Sequence, residues 1–249
     1  MNGFQKHGIE HSSPSAINMW MDAPCAWVAK YLFKQKFKFG VAAQVGVLAE
    51  QVTVQTLLGT DYADALKQAM DTFNLSNALN VNEKERDRVN DIGAMSALLL
   101  EELKPYGVPE FDLTGQKKIE VICKGDNWEL PVIGFLDLDY PKHGLIVDIK
   151  TTSRMPSSMS RAHQRQAAIY EKAVGNRAVK FLYATPKKTQ WLEVEDTKDV
   201  LGEVKEILNR QERFLRLGDA NILKDIVPVM SDSFYWSGCE GQRKELYGI

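Results

Sequence analysis

No stretch of this 249-residue chain stays apolar long enough to cross a bilayer. The longest charge-free run near the N-terminus, residues 39–49, is too short and is interrupted by Gly40, Gln44 and Gly46. The opening Met1-Asn2-Gly3-Phe4-Gln5-Lys6-His7 has no apolar core of the kind a secretion signal carries. Cysteine is scarce: Cys25, Cys123 and Cys239 are odd in number and widely spaced. No disulfide framework is therefore expected, and a reducing, cytoplasmic compartment is. An excess of positive charge is missing too. The 31 Lys and Arg against 33 Asp and Glu give a net charge of −2, which excludes nucleic-acid binding by bulk charge and leaves only a local basic patch for that purpose. Internal repeats, low-complexity tracts and a P-loop are also lacking, so any motor would be a separate chain.

What is present is an ordinary globular composition, 44% hydrophobic and 26% charged, in a chain long enough for one elaborated domain. Residues 1–13 read as a polar arm. Ser13-Pro14-Ser15 can start a helix over 16–33, with Pro24 as a break. A second helix is expected over 42–58, stopping at Gly59, and helical spacing continues through 60–105. After Pro105 the pattern changes. Lys117-Ile119-Val121 alternates, and apolar runs over 128–140 and 144–150 are separated by turn residues, which reads as a three-stranded antiparallel meander. A helix over 158–174 ending near Gly175-Asn176, strands over 178–185 and 190–194, a long helix over 196–217 and a tail complete the chain. The fold class expected is α/β with a mixed sheet.

Chemistry concentrates at Asp148-Ile149-Lys150. In a strand, alternation puts Asp148 and Lys150 on one face and Ile149 on the other. A carboxylate there can bind a hard divalent cation, and the ammonium can stabilise charge on an attacked phosphate. Taken alone, the pair is as readily a solvated surface ion pair. A second carboxylate, Asp137, precedes it in Gly134-x-x-Asp137. Asp139 lies two residues on and shares the same strand face, and the Gly-x-x-Asp pattern favours Asp137. Glu50 sits in Gly46-x-x-x-Glu50, flanked by Val47, Leu48, Val52 and Val54, which suggests a largely buried helix in which a carboxylate needs a partner. Gln166 and Tyr170, four apart, share a helix face.

These four motifs, in this order, resemble the PD-(D/E)XK nuclease superfamily, in particular its RecB-like branch: the RecB and AddB nuclease domains, the CRISPR adaptation nuclease and the YqaJ-type and lambda-type phage exonucleases. The resemblance covers residues 40–195. It implies a restriction-endonuclease-like core (41–59 and 111–195) with an N-terminal arm and helix (1–40), a helical insertion (60–110) and a C-terminal helix and tail (196–249), together one nuclease domain. It implies Mg²⁺ or Mn²⁺, one or two ions, held by Glu50, Asp137, Asp148 and the carbonyl of Ile149. Lys150 would orient water or stabilise the phosphate, and Gln166 and Tyr170 would position Lys150 or the DNA. Glu50, where many RecB relatives carry His, leans toward the YqaJ type. The implied activity is exonucleolytic hydrolysis at linear DNA ends in recombination, repair or phage replication. A structure-specific or nicking endonuclease and a catalytically silent DNA- or helicase-binding module are the alternatives. Implied partners are DNA, single- or double-stranded, with a single-strand-annealing protein, a helicase or further copies of this chain. Relatives with an iron–sulfur cluster use four cysteines. Here Cys25 and Cys239 sit at comparable ends without the other ligands, so no cluster is expected, though the two ends can still be stapled together. Arg154, Arg161 and Arg165 are the phosphate-contact candidates. The stretch Lys30, Lys34, Lys36, Lys38 with Phe33, Phe37 and Phe39 is either a backbone-tracking surface or an amphipathic edge. Lys187 and Lys188 fall in a solvated turn, and His163, Trp191 and Trp236 read as structural.

Overall fold

The computed structural model describes residues 1–37, 40–80, 82–110, 116–175, 177–194 and 196–249. Lys38, Phe39 and Asn176, named above, lie outside them.

The first thirteen residues are not a loose arm. They form α1 (Gly3–Lys6), whose Phe4 is buried against Trp128 with ring centroids 5.5 Å apart. Ser13 then caps α2 (Pro14–Asp22), its hydroxyl accepting from Ala16 N at 3.1 Å, with Pro14 at the first helical position. The expected helix over 16–33 is two helices. Ala23, held out of the helical region ahead of Pro24, separates α2 from α3 (Pro24–Tyr31). Next come α4 (Val41–Leu57), α5 (Tyr62–Ser76), the short α6 (Glu83–Arg86) and α7 (Val89–Leu103). Residues 60–105 are thus helical with breaks.

The expected meander is bent into two sheets. β1 (Lys117–Lys124) pairs antiparallel with β2 (Glu129–Leu136) as a hairpin. The chain turns at Asp137 and re-enters as β3 (Leu138–Tyr140), antiparallel to β4 (Leu145–Thr151). Gly144 makes the turn between them at φ 59°, where it has no Cβ to clash. From β4 the helix α8 (Arg161–Val174), capped by Ser160, crosses back to β5 (Ala178–Thr185), which runs parallel to β4. β6 (Lys188–Glu193) closes the order β3-β4-β5-β6. The chain is therefore a mixed α/β protein.

Alternation along β4 feeds two cores. Ile146 joins a cluster with Phe181, Tyr183, Ile169 of α8 and Trp27 of α3. Leu145, Val147 and Ile149 join another with Val45, Leu48 and Val52 of α4, Phe73 of α5 and Leu99 of α7. The sheet thus has helices on both faces, α4, α5 and α7 on one and α2, α8 and α9 (Thr197–Arg216) on the other. The tail is not extended. It forms α10 (Ala220–Ile226), a short turn at Phe234–Trp236 and α11 (Glu240–Tyr247), and it folds back on α3. Cys25 and Cys239 are buried in the same core, where Met230 N donates to Cys25 Sγ at 3.3 Å and Tyr247 Oη to the Cys25 carbonyl at 2.7 Å. Phe33 and Phe37 pack against this core, and Phe37 lies on Trp236, as an amphipathic edge would.

Among the described residues, no helix is long and apolar enough to cross a membrane.

Candidate active site

Two glycines let the elements carrying the acidic residues approach. At Gly46 a Cβ would fall 2.2 Å from Thr151 Oγ1, so a bare backbone lets α4 lie against the end of β4, with Glu50 one turn farther along. At Gly134 a Cβ would fall 2.6 Å from Tyr170 Cε1, so the Tyr170 ring rests directly on β2. Tyr170 Oη then donates to the Phe135 carbonyl at 2.8 Å, tying α8 to the strand just before Asp137. Gly134→Ala is expected to cost about 1–3 kcal/mol from overpacking and to shift Tyr170. A lower urea midpoint together with weakened activity is the outcome to measure.

With those contacts in place, Glu50, Asp137, Asp148, Ile149, Lys150 and Gln166 line one cleft. Asp148 is 1% exposed. Its Oδ2 accepts from Gln166 Nε2 at 2.6 Å, and the same Nε2 lies 3.0 Å from Tyr170 Oη. Its Oδ1 is ion-paired with Lys150. Asp137, at the bend rather than within a strand, accepts from Ile149 N at 2.9 Å through Oδ2. Glu50 is reached by Gln116 Nε2 at 3.5 Å. Asp139, the competitor to Asp137, is elsewhere. It is buried and held by Lys117 at 2.6 Å and by Arg177.

The electrostatics follow from burying three carboxylates together. Burial, then Asp148, push Glu50 up to about 7. Burial, with Asp148 and Glu50, holds Asp137 well above the usual carboxylate range. Burial also raises Asp148, with Lys150 opposing. Lys150 is pulled down by burial and up by Asp148, Asp137 and Glu50, and the carboxylates win, so it stays a firm cation. Ionised together, the three carboxylates would outnumber the one ammonium, and their raised pKa values answer that crowding. Their oxygens are a donor set of the kind a hard divalent cation takes. Among the described residues, no three His, Cys, Asp or Glu side chains are placed so that they could hold a metal ion together. Lys150 occupies the space facing Asp148 Oδ1.

Beside Lys150, His163 stacks on Phe181, with its Nδ1 2.5 Å from Tyr183 Oη. Burial and the Lys150 charge lower His163 to about 4, so it is neutral at pH 7. Tyr183 escaped notice in the sequence because it lies 33 residues beyond Lys150 on β5, and only their pairing register brings the two together.

The cationic candidates separate. Arg161 is bound by Asp199 and Glu203 of α9, at 3.0 and 2.5 Å. Arg165 is buried, donating to Glu203 at 2.7 Å and Asn18 at 2.8 Å. Both hold α8 to its neighbours through these ion pairs. Lys34 and Lys36 are exposed in the loop after α3, and neither lines the cleft with Asp148. Arg154 lines a neighbouring cleft with Arg88, Lys187 and Lys188, beside Thr151 and Thr152. Arg88 and this use of the two lysines were not legible in the sequence, since the cleft assembles from α7, the end of β4 and the β5–β6 turn.

No protein-family profile matches this sequence, and none of the curated proteins matches it. Among solved structures, the crystal structure of SSO0001 is similar over 55% of this chain and 70% of that chain, at 14% identity and a TM-score of 0.34.

Proposed function

We propose that this chain is a metal-dependent deoxyribonuclease with a PD-(D/E)XK core that hydrolyses phosphodiester bonds at DNA ends. The observation that carries it is the convergence of Glu50, Asp137, Asp148 and Lys150 in one cleft, backed by Gln166 and Tyr170. Mg²⁺ or Mn²⁺ would be held by the three carboxylates and the Ile149 carbonyl, where it would supply an activated water and neutralise phosphate charge. Lys150 serves as a fixed cation toward charge developing on the phosphate, not as a base, because its neighbours keep it protonated. Gln166 holds Asp148 through Oδ2 and leaves Oδ1 toward the cleft. Tyr170 fixes α8 through the Phe135 carbonyl, so Gln166 cannot drift. Neutral His163 packs beside Lys150 without adding a competing charge. The cleft with Arg154, Lys187 and Lys188 supplies cations for the sugar–phosphate backbone. The preference for ends rests on the YqaJ-like placement of Glu50.

Incubation with linear and with covalently closed circular DNA in Mg²⁺ or Mn²⁺ tests this. Loss of linear DNA with circles intact is expected. Cutting of circles would replace the exonuclease with an endonuclease, and no cleavage of either would remove the enzyme.

A further inference from the structure

The cleft does not end at its carboxylates. It runs on along one face of α4, where Val47, Gln51, Val54, Gln55 and Leu58 recur at helical spacing opposite Gln68 of α5, enclosing about 830 Å³. Beyond Glu50, Asp137, Asp148 and Lys150, its described lining carries no charged side chain. Val47 and, just past the end of α4, Leu58 are 48% and 51% exposed, while Val45, Leu48, Ala49 and Val52 on the other side of the helix are buried. The side-chain amides of Gln51, Gln55 and Gln68 have no partner among the described residues.

Such a wall suits one part of a nucleic acid and not another. A phosphodiester backbone needs cations, and it would meet three carboxylates here. The cations instead line the cleft of about 800 Å³ at Arg154, Lys187 and Lys188, with Arg88 there paired to Asp91. Glutamine amides match the hydrogen-bonding edges of bases, and aliphatic side chains accept their faces. In a duplex those edges are paired and those faces stacked, so only unpaired bases can use the wall.

We propose that this face of α4 is a base-binding groove and that the substrate entering the site is single-stranded DNA. The inference rests on the nuclease reading. Binding is measured by fluorescence anisotropy, with Ca²⁺ replacing Mg²⁺, on three labelled oligomers of equal length: oligothymidylate, a fully abasic strand and a blunt duplex. Cleavage is followed in parallel in Mn²⁺. The expected result is oligothymidylate bound at least about tenfold tighter than either competitor, a difference of about 1.4 kcal/mol. Leu58→Asp and the double variant Gln51→Ala with Gln55→Ala should lower oligothymidylate affinity about tenfold without changing abasic binding or the melting temperature. Equal or tighter binding of the abasic strand or the duplex, or no effect of either variant, overturns the groove. If linear DNA is still degraded in that case, the nuclease reading survives alone. If nothing is bound or cut, both fall.

Discussion

Asp148→Asn is expected to lower DNA cleavage by about 10³-fold while the metal-free protein melts no lower than wild type. The two halves of this result belong together. Asp148 is buried, and its ionised form is disfavoured by burial. Were it a purely structural partner of Lys150, its loss would strand a buried ammonium and cost about 3–5 kcal/mol. Lys150, however, also faces Asp137 and Glu50, so it keeps counter-charge when Asp148 becomes neutral. The amide preserves the shape, keeps an acceptor for Gln166 and avoids the burial cost of an ionised carboxylate. Lys150→Ala should do the opposite to stability, since it withdraws the cation facing three carboxylates. Thermal melts in EDTA and initial rates in Mn²⁺, run on both variants, are the measurements. Wild-type turnover by Asp148→Asn would remove the metal-site assignment.

Glu50→Gln is expected to stabilise the metal-free protein at pH 8 by at most about 3 kcal/mol, or about 6–12 °C in melting temperature, while abolishing activity. Burial and Asp148 push Glu50 up to about 7 in the fold, from 4.5 for the free side chain. Between those values the folded state holds a proton that the unfolded chain has released, so stability falls as pH rises through the window. The full penalty stands above pH 7 and vanishes below about 4.5. The glutamine variant never incurs it, so its advantage should shrink steadily from pH 8 to pH 4.5. His163, lowered to about 4, acts in the reverse sense, destabilising the fold as pH falls below 6.5. It is present in both proteins and cancels in the difference. Added Mn²⁺ at pH 8 should narrow the gap by binding the wild type more tightly. A gap that stays flat from pH 8 to pH 4.5 would show that Glu50 is solvated and lies outside the carboxylate cluster.

The strand-end chemistry was legible because it is local. Alternation alone places Asp148 and Lys150 together, and i,i+4 spacing alone aligns Gln166 with Tyr170. The choice between Asp137 and Asp139 was not local. It depends on the bend after β2 and on Arg177, which sits 38 residues beyond Asp139 and captures it. The same holds for Arg161 and Arg165, whose carboxylate partners come from α9. The apolar flanks of Glu50 suggested a helix largely buried, yet Val47 faces the cleft. Hydrophobicity marks which positions tolerate burial, and packing decides which of them receive it. Residues 1–13 looked polar because few of them, chiefly Phe4 and Ile9, carry their apolar anchorage, Phe4 against a tryptophan 124 positions away.

That anchorage has a kinetic consequence. Gly3 N donates to Glu212 at 3.0 Å, His7 Nε2 lies 2.9 Å from the Leu215 carbonyl, and the tail from 230 to 247 covers Cys25. Part of the cover of the opening helices therefore comes from segments more than 200 residues downstream. During synthesis the contacts of Gly3, His7 and Cys25 cannot form until α9 and the tail have left the ribosome. Closing so long a loop late makes the final docking slow and leaves the nascent N-terminal helices exposed to aggregation in the interval.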